Sequence, residues 1–341
     1  MENREICVSV ICLTYNHAAW IRDALEGFVQ QNTNFRYEVL VHDDASTDHT
    51  ADIIREYEKQ YPDLVRGIYE EENQYSRNVP IIEEIVMPYV RGRYIALCEG
   101  DDYWTDPNKL QKQVDILEMH PEIDICAHRS RILQNGVLEG SFPDCEKEQV
   151  FTVENVILGG GSFVPTASLL CRRSVRELHY RFSDYMSLDY TWQIQGALRG
   201  GMYYLPEVMS VYRQNVGGSW TLRIHENRKY HIEHLLSDKT MLRLLDEDTN
   251  GKYHAVIVYR QMIRDAKLQK LIMDSRTDEY TDLEKEIQTD TKRYTKDLLE
   301  DRRVRLIDKI KFATLRINKT LFYLVYRIGD WRNVICRRNA N

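Results

Sequence analysis

Apolar positions in the first 220 residues follow two periods in turn, that of a buried strand and that of a helix. The run ICVSVICL (6–13) is apolar and rich in β-branched side chains, as expected of a buried strand. From Trp20 to Val29 the apolar side chains recur every three or four residues, which indicates an amphipathic helix. The strand pattern returns later in the chain, at 37–44, 64–71, 92–102, 123–130 and 201–212.

Helical segments separate most of these strands, and this alternation predicts an α/β fold. We expect a doubly wound, mostly parallel sheet flanked by helices, followed by a C-terminal helical extension. Ligands of such sheets bind beyond the carboxyl ends of the strands. Polar clusters stand at three of the predicted ends, and we expect them to meet at one rim: Thr14-Tyr15-Asn16, Asp43-Asp44 and Glu99 to Asp102.

Three carboxylates at one strand end repel each other unless a positive group lies among them. The GxGxxG and GxxxxGK[ST] phosphate loops are both absent, so a bound nucleotide needs another partner for its phosphates. Mg²⁺ or Mn²⁺ meets both needs by bridging carboxylates and diphosphate oxygens, and we predict Asp101 and Asp102 as its ligands. The alternative is that they face solvent and cap a helix beginning near Pro107, a role that Asp106 already suits.

The pair Asp43-Asp44 follows the second predicted strand and suits a nucleoside. Its carboxylates can accept hydrogen bonds from a base N–H and a ribose hydroxyl. The alternative is an Asx-turn that leads into the next helix, for which Ser46 or Thr47 would be the N-cap. Beside the other two clusters, ligand binding is the better interpretation.

Charge is distributed unevenly along the chain. The 341 residues carry a formal net charge of −7, but residues 301–341 hold 11 Lys and Arg against 3 Asp, or +8, which leaves −15 for residues 1–300. An acidic main body argues against nucleic-acid binding. Seven scattered cysteines without a CxxC pair, no apolar leader and no apolar run of about 18 residues predict a reduced, cytoplasmic protein without membrane spans.

Three stretches resemble the family 2 glycosyltransferases of bacterial surface-polysaccharide synthesis, which have the GT-A fold: VSVICLTYNHAAWIRDAL, YEVLVHDDASTDHTADIIREY and GRYIALCEGDDYWTDPNKLQKQVDIL. The resemblance covers roughly residues 6–220. It implies inverting transfer of a sugar from a nucleotide sugar, usually a UDP-sugar, with a divalent metal. It also implies a nucleoside pocket lined by Thr14, Tyr15, Asp43 and Asp44. Glu99-Gly100-Asp101 occupies the DxD position with Glu where Asp is commoner, which leaves Glu99 for a ribose contact.

An inverting displacement also needs a general base for the acceptor hydroxyl. Asp189 stands at the start of a predicted helix over 190–198, where the resemblance places the catalytic Asp. Family members usually have Glu or Gly before that Asp, whereas here Leu188 precedes it, and Asp184 is a nearby competitor. The alternative role for Asp189 is a helix N-cap.

Gly217-Gly218-Ser219-Trp220 resembles the loop that closes over donor and acceptor in this family. Processive members carry an Arg-Trp pair here together with several membrane spans. This chain has Ser-Trp and no predicted span, which favours addition of a single sugar. Trp220 is therefore expected to contact the donor as part of a mobile loop, the alternative being a core aromatic.

We divide the chain into a glycosyltransferase domain at 1–220, with a nucleotide-binding half (1–130) and an acceptor half (131–220), a helical extension at 221–300 that could form an oligomer contact, and a basic tail at 301–341. In the tail, cations adjoin an apolar stripe, as in helices that lie on anionic membranes. The alternative is packing on its own domain or a partner subunit. The stripe is Leu306, Ile310, Ala313, Ile317, Leu321, Leu324 and Ile328, and the cations are Arg305, Lys309, Arg316, Lys319 and Arg327.

The predicted function is metal-dependent, non-processive addition of one sugar to a lipid-linked or growing glycan, on the cytoplasmic face of the membrane. A sugar nucleotidyltransferase is one alternative. It would normally carry a Gly-rich, Lys- or Arg-bearing loop after the first strand, and LTYNHAAW has none. A non-catalytic protein that binds nucleotide sugars is the other.

Overall fold

The computed structural model describes residues 5–185, 188–217, 220–275, 277 and 279–326. The chain divides into two compact units. Unit 1 comprises Met1–His179 and Leu188–Arg223, and unit 2 comprises Tyr180–Ser187 and Ile224–Asn341.

Unit 1 alternates strands and helices from its N-terminus, as the hydrophobic pattern predicts. The boundary with unit 2 lies within its last helix, Trp220–Glu226, between Arg223 and Ile224. The elements are β1 (Ile6–Thr14), α1 (Ile21–Val29), β2 (Arg36–Asp43), α2 (Thr50–Gln60), β3 (Val65–Tyr69), β4 (Tyr94–Leu97), β5 (Tyr103–Trp104), α3 (Lys109–Met119), β6 (Ile125–Gln134), β7 (Val137–Phe142), β8 (Gln149–Phe151), α4 (Val153–Gly159), β9 (Leu170–Arg172), α5 (Leu188–Ala197), β10 (Met202–Gln214) and α6 (Trp220–Glu226).

One mixed sheet forms the centre of unit 1, with strand order β3-β2-β1-β4-β9-β6-β10-β5. The long pairings, β1 with β2 and β6 with β10, are parallel. The short strand β9 lies between β4 and β6 and is antiparallel to both. β7 pairs with β6, and β8 with β10, at the side of this path. The predicted α/β class with a mostly parallel sheet is therefore confirmed.

Helix α1 shows why the amphipathic pattern produces this packing. Its apolar positions Ile21, Ala24, Leu25 and Phe28 are all fully buried, as the three-to-four spacing predicts. Each large side chain buried in this way contributes roughly 1.5–3 kcal/mol from removal of apolar surface from water. The packing of α1 and its neighbours on the sheet holds the carboxyl ends of β1, β2 and β4 in fixed positions.

The predicted starts of two helices were wrong by a few residues. Helix α2 begins at Thr50 rather than after Ser46 or Thr47, because these residues belong to a loop that is hydrogen-bonded to the end of β1. Helix α3 begins at Lys109, so Asp106 is not its N-cap. The Asp106 carboxylate instead accepts the Asn108 N–H in the preceding turn and the Lys112 amine of α3.

Unit 2 is helical in its described part. Its helices are α7 (Arg228–Asp248), α8 (His254–Ser275), α9 (Thr281–Glu300) and α10 (Leu306–Ile317). Residues 319–326 are helical again after a break at Asn318. Among the helices described, none is both long and apolar enough to cross a lipid bilayer.

A buried lysine joins three of these helices. The Lys239 amine, on α7, lies 2.7 Å from Asp265 Oδ1 on α8 and 3.0 Å from Glu286 Oε1 on α9, with Asp290 Oδ2 at 3.4 Å. Asp265 is fully buried, and this burial raises its pKa to about 7 even though the Lys239 charge opposes the shift. The negative charge of Asp265 in the core therefore depends on Lys239.

Replacing Lys239 by Met is expected to lower the free energy of unfolding by about 3–5 kcal/mol, because Asp265 loses its compensating charge. Urea denaturation measures this loss. Lys285→Met is the matched control, since the Lys285 side chain is 70% exposed and its pairing with Asp282 is worth at most about 1 kcal/mol. Equal losses in the two variants would contradict the structural role of Lys239.

Candidate active site

The carboxyl ends of three adjacent strands meet at one rim of unit 1. Thr14 ends β1 and Asp43 ends β2, and the two are paired in register, with Thr14 Oγ1 donating to Asp43 Oδ1 at 3.3 Å. Strand β4 lies on the other side of β1, and the turn that follows it is bonded back to β1 through Gly100 N–H and Leu13 O at 3.0 Å. The structure thus brings together the three polar clusters of the sequence.

Gly100 is a glycine because the turn after β4 presses against the end of β1. A Cβ atom at this position would lie 2.6 Å from Thr14 Cγ2 and 2.9 Å from His17 Nδ1, closer than real Cβ contacts allow. The middle residue of Glu99-Gly100-Asp101 therefore has a packing role that the DxD resemblance did not indicate. It sets how closely the acidic turn approaches the loop after β1.

The loop after β1 is bonded to the loop after β2. Asn16, which has a φ of 56°, accepts the Thr47 N–H through Oδ1 at 2.8 Å and donates its own N–H to Ser46 Oγ at 2.9 Å. Ser46 in turn donates to the Asp43 carboxylate from both its N–H and its hydroxyl. Tyr15 lies between these anchors with 41% of its surface exposed. The rim is therefore held firmly while one aromatic ring stays accessible.

Asp44 binds a neighbouring loop with its side chain. Its carboxylate accepts the N–H groups of Gln74 and Tyr75 at 2.6 and 3.0 Å, and its own N–H donates to Thr14 O at 3.0 Å. The Arg223 guanidinium of α6 lies 5.2 Å from the centroid of the Tyr75 ring. Asp44 thereby positions the segment that packs beside the start of α6.

The acidic turn concentrates negative charge in a confined place. Asp102 is 1% exposed, and its Oδ1 accepts the Arg213 N–H at 2.8 Å. The pKa of Asp102 is raised well above its usual range, mainly by burial and further by the negative charges of Asp101 and Glu99. Glu99 is exposed to solvent. Surrounding protein atoms nevertheless reduce the hydration of its carboxylate, and this effect, together with the charges of Asp101 and Asp189, raises its pKa to about 8.

The carboxylate oxygens at this turn suit a hard divalent cation whose remaining ligands come from a substrate and from water. Asp102 Oδ2 is buried and has no hydrogen-bond partner among the described residues, and Asp101 is half-buried beside it. No group of three or more His, Cys, Asp or Glu in the described part of the chain forms a ready-made metal cage. Mg²⁺ and Mn²⁺ sites of nucleotide enzymes commonly use one or two carboxylates together with substrate phosphates and waters.

Arg213, in β10, supports the acidic turn and was missed by the sequence analysis. Its Nη1 donates to Asp101 O at 2.7 Å, and Nη2 donates to Asp23 of α1. The guanidinium is 9% exposed and lies 4.5 Å from the centroid of the Tyr103 ring. Because Arg213 and Asp102 stand 111 positions apart in the chain, no local pattern could have joined them.

Asp189 lies in the first turn of α5, where its Oδ1 accepts the Tyr190 N–H at 2.8 Å. A Cβ atom on Gly161 would stand 3.1 Å from Asp189 Oδ1, so the Gly161 backbone packs against this carboxylate. Gln193, one turn further along α5, donates to Gly161 O at 2.9 Å. Since the Asp189 charge helps to raise the pKa of Glu99, both carboxylates belong to one electrostatic site.

The other predicted site positions are described only in part. Asp184, the competitor of Asp189, belongs to unit 2, and the structure describes its backbone alone. Gly218 and Ser219 of the predicted loop lie outside the described residues. Trp220 is the first residue of α6, and its side chain is not described. Their functional roles stay predictions.

Comparison with known proteins assigns the family. Residues 9–176 match the model of Glycosyl transferase family 2. This segment of the chain belongs to the family. The matched segment of the family 2 domain includes the whole rim from Thr14 to Asp102 and ends before Asp189, so the match itself does not test the predicted base.

Two known proteins illustrate the similarity of this chain in sequence. Uncharacterized protein Rv1520 of Mycobacterium tuberculosis is 38% identical over 226 residues, which cover 65% of this chain and 63% of that protein. UDP-Glc:alpha-D-GlcNAc-diphosphoundecaprenol beta-1,3-glucosyltransferase WfgD of Escherichia coli is 27% identical over 135 residues, or 40% of this chain and 50% of that protein. The chain therefore spans less than two thirds of the length of these relatives.

A solved structure shares the fold of this family 2 chain. S. aureus TarS 1-349 in complex with UDP-GlcNAc superposes with a TM-score of 0.56 over 95% of this chain and 92% of that one, at 16% identity. At this identity the likeness concerns the fold alone. The predicted GT-A fold is confirmed by it.

Proposed function

We propose that this chain is a metal-dependent, inverting glycosyltransferase that moves one sugar from a nucleotide sugar to a hydroxyl of a glycan acceptor. One observation carries the proposal: in a chain that matches family 2 over residues 9–176, the ends of β1, β2 and β4 meet at a rim where the buried Asp102 Oδ2 has no hydrogen-bond partner among the described residues. The proposed nucleotide pocket, cation site and base then all lie within unit 1.

The nucleoside is assigned to the loops after β1 and β2. Thr14, Tyr15 and Asn16 would line it, with the exposed Tyr15 ring available for stacking. Asp43 and Asp44 already accept hydrogen bonds from neighbouring loops. An ionised carboxylate accepts at about four positions, so each keeps capacity for a base N–H or a ribose hydroxyl.

Asp101 and Asp102 would hold Mg²⁺ or Mn²⁺, with Glu99 assigned to a ribose contact. When bound there, the cation would neutralise negative charge on the diphosphate of the leaving nucleotide. Arg213 keeps this turn in place through Asp101 O and the Asp102 carboxylate. The chain has no Gly-rich phosphate loop, so the diphosphate would be bound through the cation that these carboxylates hold.

Asp189 is assigned as the general base. As the acceptor oxygen attacks the anomeric carbon, its proton passes to an oxygen of the Asp189 carboxylate. The bond between the anomeric carbon and the phosphate oxygen breaks, and the electron pair leaves with the nucleoside diphosphate. Attack from the face opposite the leaving group inverts the configuration at that carbon. A single displacement needs no nucleophile from the protein.

The names of similar proteins support a UDP-sugar and a lipid-linked acceptor. The TarS structure contains UDP-GlcNAc, and the E. coli relative is named for UDP-Glc and a diphosphoundecaprenol acceptor. We infer a related role in surface-polysaccharide synthesis, with the enzyme working peripherally on the cytoplasmic face of the membrane. The Ser-Trp loop favours one addition per encounter.

A thermal-shift screen of nucleoside diphosphates and their sugars, with and without Mn²⁺, tests the donor assignment. We expect UDP compounds to raise Tm only when Mn²⁺ is present. Transfer assays with the best donor then identify the products. Release of pyrophosphate would indicate a nucleotidyltransferase, and tight binding with neither hydrolysis nor transfer would indicate a non-catalytic protein. Either result would contradict the proposal.

A further inference from the structure

Helix α10 is apolar on two opposite sides, and only one of them is packed. Phe312 and Leu315 are 1% and 3% exposed in the core of unit 2. Leu306 and Ile317, on the other side by helical spacing, are 75% and 77% exposed, and Ile310 between them is 42% exposed. The helix is therefore held in unit 2 by one face and presents a second apolar face to solvent.

The same division continues beyond the break at Asn318. The Asn318 side chain accepts the N–H groups of Thr320 and Leu321 and so caps the segment 319–326. Phe322 in this segment is fully buried, whereas Leu321 and Leu324 are 44% and 55% exposed. Arg327 and Ile328, which the sequence assigns to the same pattern, lie outside the described residues.

We call the exposed set the apolar face: Leu306, Ile307, Ile310, Ile317, Leu321 and Leu324. Over the part of the chain that the structure describes, these are six of the sixteen large hydrophobic side chains with high exposure. The other ten are spread over nearly 300 residues from Tyr15 to Leu299, as is normal for a protein surface. A concentration of this kind marks a surface that binds something apolar.

The segment that carries the apolar face is mostly positive, although Lys319 pairs with Glu284 of α9 and Arg303 pairs with Asp301. Residues 302–326 contain seven Lys and Arg and a single acidic residue, Asp308. Asp308 is 2% exposed and is bonded to Tyr259 and Arg305. The solvent side of this region is consequently positive, with exposed cations such as Arg302 and Arg316 beside the apolar side chains.

We infer that the apolar face docks on the surface of an anionic lipid bilayer. Apolar side chains would enter the acyl boundary while the flanking cations meet acidic headgroups, and the two contributions reinforce each other. The face sits on helices that are already folded and packed, so binding needs no ordering of the segment. This inference extends the proposed function by naming the surface at which a lipid-linked acceptor is met, but it stands on its own observations.

A second copy of the chain fits this face less well. A two-fold contact places the same patch on both sides, so exposed cations of one copy, such as Arg302 and Arg316, would oppose those of the other. Apolar contact would then work against charge repulsion. An anionic bilayer satisfies both features at once.

Vesicle flotation of the full chain tests the inference. We expect flotation with phosphatidylcholine vesicles that contain about a third phosphatidylglycerol, loss of flotation with phosphatidylcholine alone, and weakening by salt. Ile310→Glu/Ile317→Glu should lower partitioning at least about tenfold. Met119→Glu/Leu178→Glu is the matched control, because both side chains are more than half exposed but lie in unit 1.

A second double substitution tests the contribution of the cations to membrane binding. Arg302→Glu/Arg316→Glu should also weaken flotation by about tenfold, whereas Lys285→Glu/Lys292→Glu on α9 should not. Equal flotation of all variants, or a dimer that Ile310→Glu/Ile317→Glu dissociates without any vesicle binding, would overturn the inference. Transfer to a soluble acceptor in the absence of vesicles should be unchanged in these variants, which separates this test from that of the proposed activity.

Discussion

Asp189→Asn is expected to lower kcat by about 10³-fold, the range typical for loss of a general base. The amide has nearly the shape of the carboxylate but cannot take the acceptor proton. The Gly161 backbone packs against this side chain without a Cβ, so the isosteric Asn fits the same space. The Kd of the donor should change little, because the role proposed for Asp189 concerns the acceptor and not the nucleotide. Single-turnover transfer and calorimetric donor binding measure the two quantities.

Asp184→Asn is the matched control for this assignment, since Asp184 is the carboxylate that the sequence offers as a rival. It should retain most of the activity. Near-normal kcat in Asp189→Asn, or its loss in Asp184→Asn, would move the base to another residue.

The rim could be predicted from sequence because each of its parts is local. Thr14, Asp43 and Asp101 each follow an apolar run, and the rule that ligands bind at strand ends joins them without knowledge of any contact. The burial of Ile21 and Phe28 follows in the same way from helical spacing. Local periodicity was sufficient for these elements.

Long-range contacts could not be predicted in this way. Arg213 reaches the acidic turn only because β10 and the short strand β5 pair in the folded sheet, and nothing near Arg213 in sequence signals this. Gly161 is packed against Asp189, and nothing in the sequence around Gly161 indicates this contact. Both cases depend on tertiary packing, which overrides what a short window contains.

The tail shows a second limit of periodicity. The spacing from Leu306 to Leu324 predicted a continuous apolar stripe, whereas the structure breaks the helix at Asn318. Helical spacing alone also does not say which of two apolar sides is packed. The structure buries Phe312, Leu315 and Phe322 and leaves exposed five residues of the stripe: Leu306, Ile310, Ile317, Leu321 and Leu324. A pattern that could have meant ordinary core packing thus became a candidate binding surface.

Arg213→Met is expected to lower the free energy of unfolding by about 1.5–3 kcal/mol, because a hydrogen bond from a charged donor to Asp101 O is lost. Asp23→Asn is its control: it removes only the half-exposed outer partner and should cost at most about 1 kcal/mol. Chemical denaturation gives both values. Equal losses would mean that the ion pair with Asp23, and not the support of the acidic turn, is what Arg213 provides.

Asp101→Asn, or removal of divalent cations with EDTA, is expected to weaken UDP-sugar binding by about 10²-fold and to reduce transfer further. The diphosphate and the rim are both negative, so without a cation they repel each other. Titration calorimetry with and without Mn²⁺ measures the difference. The Asp101→Asn variant should bind the donor equally weakly in both conditions, whereas Asp115→Asn, which alters a surface carboxylate on α3, should behave like the wild type.

The pH dependence of stability gives an independent readout of the same site. Burial and neighbouring charges raise the pKa of Glu99 to about 8 and raise that of Asp102, so between about pH 4 and 8 these two carboxyls bind more protons in the folded state than in the unfolded state. Their contribution to stability without metal should therefore fall as pH rises through this window. Mn²⁺ replaces those protons, so the rise in Tm on its addition should be larger at pH 8 than at pH 6. A Tm gain that is independent of pH and unaffected by Asp101→Asn would place the cation elsewhere, and donor binding of equal strength in EDTA would remove the cation from the mechanism.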